Sequence, residues 1–240
     1  MISPKPLRRP LVLGHRGASA HAADNTIEAF EIALAHGADG VELDVRFTAD
    51  GEVVLNHDAD IGEMGPLIHH DFATLRSAHP EVPTLDEALA VLGDLLINVE
   101  IKNSPMDADF DATHQMAYAV TRWIAQHDIR DRVVVTSFNP DTVAAVRDTD
   151  ATVVTGQLVH PGFDVAGQAE AIAAVGHTWL APYVSDVVAD AKTVIEAAHS
   201  AGLRVVVWTV DEPDDIALLA AAGVDGLISN DPRAALALVG

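Results

Sequence analysis

The pattern of this chain is set by HRGASAHAADNT at residues 15–26, VELDVR at 41–46 and VVLNHD at 53–58. Each piece joins a short apolar run of the strand type to ionisable residues, and an A-D-G turn at 49–51 separates the last two. The ionisable residues are His15, Arg16, Glu42, Asp44 and His57. Strand ends of an α/β protein meet at one face, so we expect these side chains to gather there.

Working outward, strand-like runs alternate with Ala-rich helical stretches to the end of the chain, which is the βαβα signature of a parallel sheet. The predicted strands are Leu11–His15, Gly40–Arg46, Leu95–Ile101, Arg132–Ser137, Thr152–Gln157, Thr178–Ala181, Arg204–Thr209 and Asp225–Ser229. The predicted helices are Thr26–His36, Leu85–Leu92, Ala108–His127, Pro140–Asp148, Val165–Val175, Ala189–Ala201, Pro213–Ala222 and Pro232–Val239. Eight such units in 240 residues predict a single-domain α/β protein of the (β/α)₈, or TIM barrel, type.

The least regular segment, at about 58–83, lies between the second predicted strand and its helix and contains Gly, Pro and three histidines. It is too short for a separate domain. As a βα loop it is expected to cover the catalytic face of the barrel as a short insertion.

Composition limits the classes of partner. The formal charge of −22 argues against nucleic acid or an anionic membrane as a main partner, because both are repelled. The absence of cysteine excludes disulfides, thiolate catalysis and Cys-ligated zinc. The first ten residues are basic without a following apolar h-region, and no apolar run approaches the ~18 to 20 residues of a membrane span, so we expect a cytoplasmic protein.

Three carboxylates are candidates for a metal site. Glu42 and Asp44 lie two apart on a predicted strand and point to the same face, roughly 7 Å apart, and Glu100 occupies an equivalent place in INVEIK, where Lys102 shares its face. Unpaired, the carboxylates would repel one another, and one hard divalent cation, Mg²⁺, Ca²⁺ or Mn²⁺, would resolve that conflict. The structural alternative is that Glu42 and Asp44 pair with Arg46, Lys102 or helix ends.

Two histidines are candidates for proton transfer. His15 closes the first strand and His57 closes the VVLN run, so both can reach the same barrel mouth. Histidine titrates near neutrality, which suits a general base and a general acid on opposite sides of a phosphodiester. Arg16 would offer a planar donor fork to phosphate oxygens, and Gly17 would allow a tight turn beside it.

Residues 24–26, Asp-Asn-Thr, precede the first helical stretch, where an N-cap is the plain interpretation. The functional alternative is that Asp24 or Asn25 braces Arg16 or His15. Trp208 ends the seventh predicted strand and either walls a small polyol or choline-like headgroup or packs in the core. Ser137, Phe138, Gln157 and Tyr183 also end strands and are weaker candidates for substrate contacts.

Taken in order, the motifs HRG at 15–17, DNT at 24–26, ELD at 42–44, HD at 57–58, EIK at 100–102, WTV at 208–210 and GVDGLISNDP at 223–232 resemble those of the glycerophosphodiester phosphodiesterase family over nearly the whole chain. The resemblance implies a barrel of the phospholipase-C-like phosphodiesterase type that hydrolyses a glycerophosphodiester to glycerol 3-phosphate and an alcohol. It implies attack by the glycerol 2-hydroxyl, a cyclic phosphate intermediate, and His15 and His57 as the acid–base pair. We expect His57 as the base and His15 as the acid in the first step, with the roles open to exchange in the second. The implied binding residues are Glu42, Asp44 and Glu100 for one divalent cation, Arg16 for the phosphate, and Lys102 near both.

Two departures from the family pattern stand at positions 23 and 24, where Ala and Asp replace the usual Pro and Glu. Asp24 is one methylene shorter, so we expect a weaker or water-bridged contact there. The segment after His57 is compact for the family, which predicts an open cleft.

Other activities are compatible with the same residues. A lysophospholipase D or sphingomyelinase D-like enzyme would keep the barrel and ion but change the substrate, although the acidic surface and lack of an amphipathic anchor disfavour it. A barrel that only binds a phosphorylated ligand would have no need of both histidines and all three carboxylates. A metal-dependent aldolase would require a base aimed at a carbon acid.

Overall fold

The computed structural model of the protein describes residues 9–240. The basic segment that underlies the prediction of no leader peptide lies largely outside the described residues. Within them, no helix is both long and apolar enough to cross a membrane.

Eight parallel strands close into a barrel, as predicted. With one additional strand, β3, the described residues form β1 (Leu11–His15), β2 (Gly40–Phe47), β3 (Val53–Leu55), β4 (Leu96–Ile101), β5 (Val133–Ser137), β6 (Val154–Leu158), β7 (Trp179–Ala181), β8 (Arg204–Val207) and β9 (Gly226–Ser229). Their order is β1-β9-β8-β7-β6-β5-β4-β2, and pairing of β1 with β2 closes the ring. The extra strand, β3, pairs antiparallel with β2 outside the ring.

Helices surround the barrel and connect its strands. They are α1 (Ile27–Ala35), α2 (Phe72–Ala78), α3 (Leu85–Leu92), α4 (Gln115–His127), α5 (Pro140–Thr149), α6 (Val165–Ala174), α7 (Ser185–Val188), α8 (Ala191–Ser200), α9 (Pro213–Ala222) and α10 (Pro232–Val239). Several begin at a sequence-encoded cap, such as the capping box of Thr84 and Glu87 at α3. Pro at the first turn of α5, α9 and α10 fits positions whose amide has no helical partner.

The barrel is a filled core. Its interior is closed by an apolar cluster of Leu13, Val134, Trp179, Val206 and Ile228, each at most 1% exposed. Two larger clusters lie between the strands and the surrounding helices. Function is therefore confined to the rim, where the strands end and polar side chains replace the apolar layer.

Two predicted boundaries are wrong in ways that matter for the rim. The helix expected from Ala108 begins only at Gln115, because Asp111 accepts hydrogen bonds from the amides of Thr113 and Gln115 and holds residues 108–114 as a loop. The irregular segment after β3 contains a helix that we did not predict, α2, capped by Asp71. Together these loops form one wall of the rim.

Candidate active site

The three carboxylates converge at the rim. In the sheet register, Asp44 of β2 lies opposite Glu100 of β4, and Glu42 of β2 lies opposite His15 of β1. One carboxylate oxygen from each of Glu42, Asp44 and Glu100 lies within 4.8 Å of the other two, and all three residues are buried. The Oε1 atom of Glu42 is buried without a hydrogen-bond partner. An all-oxygen set with an unsatisfied buried oxygen fits a hard divalent cation.

The electrostatics of this cluster are those of a site short of positive charge. Burial, and then the charges of Asp44 and Glu100, raise the pKa of Glu42 well above its usual range. Burial also raises the pKa of Glu100, with Asp44 contributing. Burial alone would do the same at Asp44, but the charges of Lys102 and Arg16 lower its pKa to about 2. Asp44 is therefore the permanent anion, and Glu42 is the carboxylate most easily protonated.

Two cations hold the cluster together. The Nζ atom of Lys102 lies 3.0 Å from Oδ1 of Asp44 and forms a close ion pair with Glu100, and this pairing raises the pKa of the amine. Nε of Arg16 lies 3.3 Å from Oδ2 of Asp44. Pairing with Lys102, the structural alternative for these carboxylates, holds for Asp44 and Glu100, but no lysine or arginine side chain among the described residues forms an ion pair with Glu42. Arg46, the other cation considered as a partner, pairs with Asp107 and Asp109 instead.

His15 is fixed by a relay from the end of β9. Its Nδ1 lies 2.7 Å from Oδ1 of Asn230, an acceptor, so the proton belongs on Nδ1 and Nε2 is left free. Nε2 lies 3.9 Å from Oε2 of Glu42. The amide group of Asn230 in turn donates to Oδ2 of Asp211 at 2.5 Å, which fixes the orientation of the amide. Burial, and then the charge of Arg16, lower the pKa of His15.

His57 follows the last residue of β3 by two positions. Its Nδ1 lies 2.7 Å from Oδ1 of Asp58, and its side chain is 39% exposed. Burial, and then the charge of Lys102, lower the pKa of His57. The charge of Asp44 opposes that shift in the pKa of both histidines, so the same carboxylate acts on both rings.

Arg46 holds the loop of His57 in place. Its guanidinium donates to the backbone carbonyl of His57 at 3.0 and 2.8 Å and to both carboxylate oxygens of Asp109 at 2.7 Å. It also pairs with Asp107 at 2.9 Å. Arg46 is only 3% exposed, so the loops after β3 and β4 are joined by one fully satisfied buried cation.

The loop after β1 supplies the remaining polar contacts. Asp24 contacts Nη1 of Arg16 directly at 2.9 Å, so the expected water-bridged contact is not observed. Asn25 donates to Oδ2 of Asp44 at 2.8 Å and accepts from its amide at 3.1 Å, whereas Thr26 alone caps α1. At Gly17, φ is +86° and a Cβ would lie 2.7 Å from the backbone of Ala29, so only glycine fits this turn.

A cavity of about 390 Å³ opens beside His57 and Lys102. Phe138 lines it and stacks on His160, with ring centroids 4.4 Å apart. Of the segment at 58–83, only Asp58 and Ala59 line this cavity; its other walls come from the loops after β4, β5 and β6. Trp208 packs edge-on against Phe138 and lines a small recess that also contains His15 and Glu42.

Two of the weaker candidates have structural roles. The hydroxyl of Ser137 is buried and donates to the carbonyl of Ile101 at 2.8 Å, so it does not point into the cavity for substrate. Gln157 is likewise buried and donates to the carbonyls of Ser137 and Leu158. Strand-end position therefore identified the right neighbourhood but could not distinguish a side chain that bonds to backbone from one that is free.

Comparison with known proteins places the chain in a family. The model of the glycerophosphoryl diester phosphodiesterase family matches residues 15–234. A glycerophosphodiester phosphodiesterase of Caldanaerobacter subterraneus is 30% identical, over 96% of this chain and 98% of the relative.

Solved structures agree with the barrel. The glycerophosphodiester phosphodiesterase of Thermotoga maritima superposes with a TM-score of 0.80 at 26% identity, covering 95% of this chain and 98% of the other. An Oleispira antarctica phosphodiesterase, solved with the product sn-glycerol-3-phosphate, has a TM-score of 0.82 at 22% identity and covers 96% of both chains. At 22% identity, the similarity to the Oleispira antarctica enzyme shows only that the two proteins share a fold.

Proposed function

We propose that this chain, which belongs to the glycerophosphoryl diester phosphodiesterase family, hydrolyses a glycerophosphodiester to glycerol 3-phosphate and an alcohol with the help of one divalent cation. The observation that carries the proposal is the convergence of three buried carboxylates, Glu42, Asp44 and Glu100, near two histidines, His15 and His57, that both feel the charge of Asp44. Such a cluster is costly unless a metal ion completes it.

Glu42, Asp44 and Glu100 would hold the ion, Mg²⁺, Ca²⁺ or Mn²⁺. When bound, the ion would neutralise charge on the phosphate and make a substrate hydroxyl more acidic. Arg16 and Lys102 would bind the non-bridging phosphate oxygens, since both are already held at the rim by Asp44.

The two histidines would move the protons. The nucleophile is proposed to be the glycerol 2-hydroxyl, which would give a cyclic phosphate that water then opens. His57, the more exposed ring, would accept the hydroxyl proton, and His15, as an imidazolium with a proton on each ring nitrogen, would donate the Nε2 proton to the leaving alcohol. When water opens the cyclic phosphate, His15 would accept a proton from the water and His57 would return one to the glycerol 2-oxygen, so that both rings recover their starting states. Asn230 and Asp211 would keep Nε2 of His15 directed at the substrate.

The test is a set of diesters assayed with Mg²⁺, with Ca²⁺ and with chelator. Glycerophosphocholine should give glycerol 3-phosphate and choline, and chelator should abolish turnover. A matched diester that lacks the 2-hydroxyl should resist hydrolysis, because it cannot form the ring; its hydrolysis at a comparable rate would exclude the cyclic route. Faster turnover of lysophosphatidylcholine would assign the chain to the lysophospholipase D alternative, and turnover unaffected by chelator would remove the ion.

A further inference from the structure

We propose that His21, His36 and Asp231 form a second metal site, selective for Zn²⁺ and similar borderline cations, at the outer edge of the rim. The three side chains come from the loop after β1, the end of α1 and the start of α10. One ligand atom from each lies within 4.8 Å of the other two. None of them belongs to the carboxylate cluster, so this inference does not depend on the proposed function.

The contacts within the group already resemble those of a site awaiting an ion. Nε2 of His21 lies 3.2 Å from Oδ2 of Asp231, and the rings of His21 and His36 meet edge to face at 4.9 Å. The other oxygen of Asp231 accepts from the amide of Ala234 at 3.0 Å, which fixes the carboxylate with Oδ2 directed at His21.

His36 supplies an independent observation. Its Nδ1 is shielded from solvent, yet no group hydrogen-bonds to it. A buried polar nitrogen without a partner costs free energy, and most such atoms in folded proteins are satisfied. Coordination of a cation by the His36 ring would give this side chain a polar partner that the protein alone does not provide.

Ligand chemistry separates the two sites. Two imidazoles and one carboxylate suit Zn²⁺, Co²⁺ or Ni²⁺, whereas three carboxylates suit Mg²⁺ or Ca²⁺. With three protein ligands, a tetrahedral ion would keep one position for water. The formal charge of −22 adds a general attraction for any cation.

The site would fasten the loop that carries Arg16. Asp231 follows Asn230, whose backbone carbonyl accepts from the amide of Ala20 at 3.0 Å. An ion shared by His21 and Asp231 would add a second link between the loop after β1 and the start of α10, so its binding should stabilise the protein.

The test uses the full chain with Glu42→Gln and Asp44→Asn, which disables the carboxylate cluster. Equilibrium dialysis should find one Zn²⁺ per chain, and Co²⁺ should develop visible d–d absorption when it binds. His21→Ala and His36→Ala, each added to that background, should weaken Zn²⁺ binding at least ~10-fold. The matched control is His199→Ala, because His199 pairs with Asp225 at 2.8 Å but, within residues 9–240, belongs to no group of three potential metal ligands.

Equal Zn²⁺ affinity in all these variants, or no binding in the double variant, would overturn the second site. If the double variant does not fold, the same measurements are made on the wild-type chain in saturating Mg²⁺, where the additional Zn²⁺ should again depend on His21 and His36. Mg²⁺-dependent hydrolysis is assayed separately. If the wild-type chain shows no such hydrolysis, the proposed function fails, but the Zn²⁺ result is unaffected.

Discussion

Metal binding at the carboxylate cluster should release a proton from Glu42. In the ion-free protein, burial and the neighbouring Asp44 raise the pKa of Glu42 well above its usual range. A metal ion binds the carboxylate form and must displace that proton. Below the raised pKa, affinity should therefore increase as the pH rises, by up to ~10-fold (~1.4 kcal/mol) per pH unit for one proton, and should level off above it.

The size of the stabilisation can be estimated. An ion present at about 100 times its dissociation constant adds ~2.7 kcal/mol to the free energy of unfolding. For a chain of 240 residues, an unfolding entropy of ~2.1 cal/mol/K per residue totals ~0.5 kcal/mol/K, which gives an increase in Tm of about 5 °C.

Calorimetry of Mg²⁺, Ca²⁺ and Mn²⁺ binding in buffers of different ionisation enthalpy measures the proton release, and thermal melts with and without chelator measure the stabilisation. Glu42→Gln should bind weakly and without the pH dependence, while Glu170→Gln, on the exposed face of α6, should match the wild type. Metal binding that releases no proton, or that survives unchanged in Glu42→Gln, would refute this reasoning.

Three further outcomes are expected. His15→Ala or His57→Ala should lower kcat by roughly 10² to 10⁴ with unchanged circular dichroism, and near-normal turnover would remove that histidine from the chemistry. Asn230→Ala should lower kcat about 10- to 100-fold with little change in KM, measured by steady-state kinetics, because the His15 ring loses its orientation; equal turnover would make the relay merely structural. Burial, and then Arg147, lower the pKa of His177 to about 4, so the unfolded chain binds more protons and wild-type stability should fall as the pH drops from 6.5 towards 4. Between pH 7 and pH 5, denaturant titrations should show an extra loss of roughly 1 kcal/mol relative to His177→Gln, less than the full shift gives because Arg147 is partly solvated; parallel curves would contradict this.

The sequence predicted the barrel and the neighbourhood of the site because both depend on local patterns. Alternating apolar runs mark strands, and their ends locate ionisable residues such as Glu42 and Glu100 on one rim. Residues that come into contact only when the barrel closes are not marked by any local sequence pattern. Asn230 was visible as part of a motif, but its contact with His15 requires β9 to pair with β1.

The same limit explains why the partners of Arg46 and the start of α4 were predicted wrongly. Its strand position makes Arg46 a predicted partner of Glu42 and Asp44, yet it pairs with Asp107 and Asp109, about sixty positions away. The predicted helix Ala108–His127 includes Asp109 and Asp111, although short acidic side chains favour caps and loops over helix interiors. A cluster of three aspartates just before an apparent helix was the available signal for a later start.

The residues of the candidate site come from strands, whereas the cavity beside them is lined mostly by loops, and this difference matters for engineering. His15 and the three carboxylates lie on strands β1, β2 and β4. The walls of the 390 Å³ cavity, in contrast, come mostly from connecting segments that include Phe138 and His160. Grafting those segments from other barrels is therefore expected to change the shape of the cavity while leaving in place the strands that carry Glu42, Asp44 and Glu100. Such grafts need to retain Asp107 and Asp109, because a transplanted segment without them would leave a buried guanidinium uncompensated and His57 without its anchor.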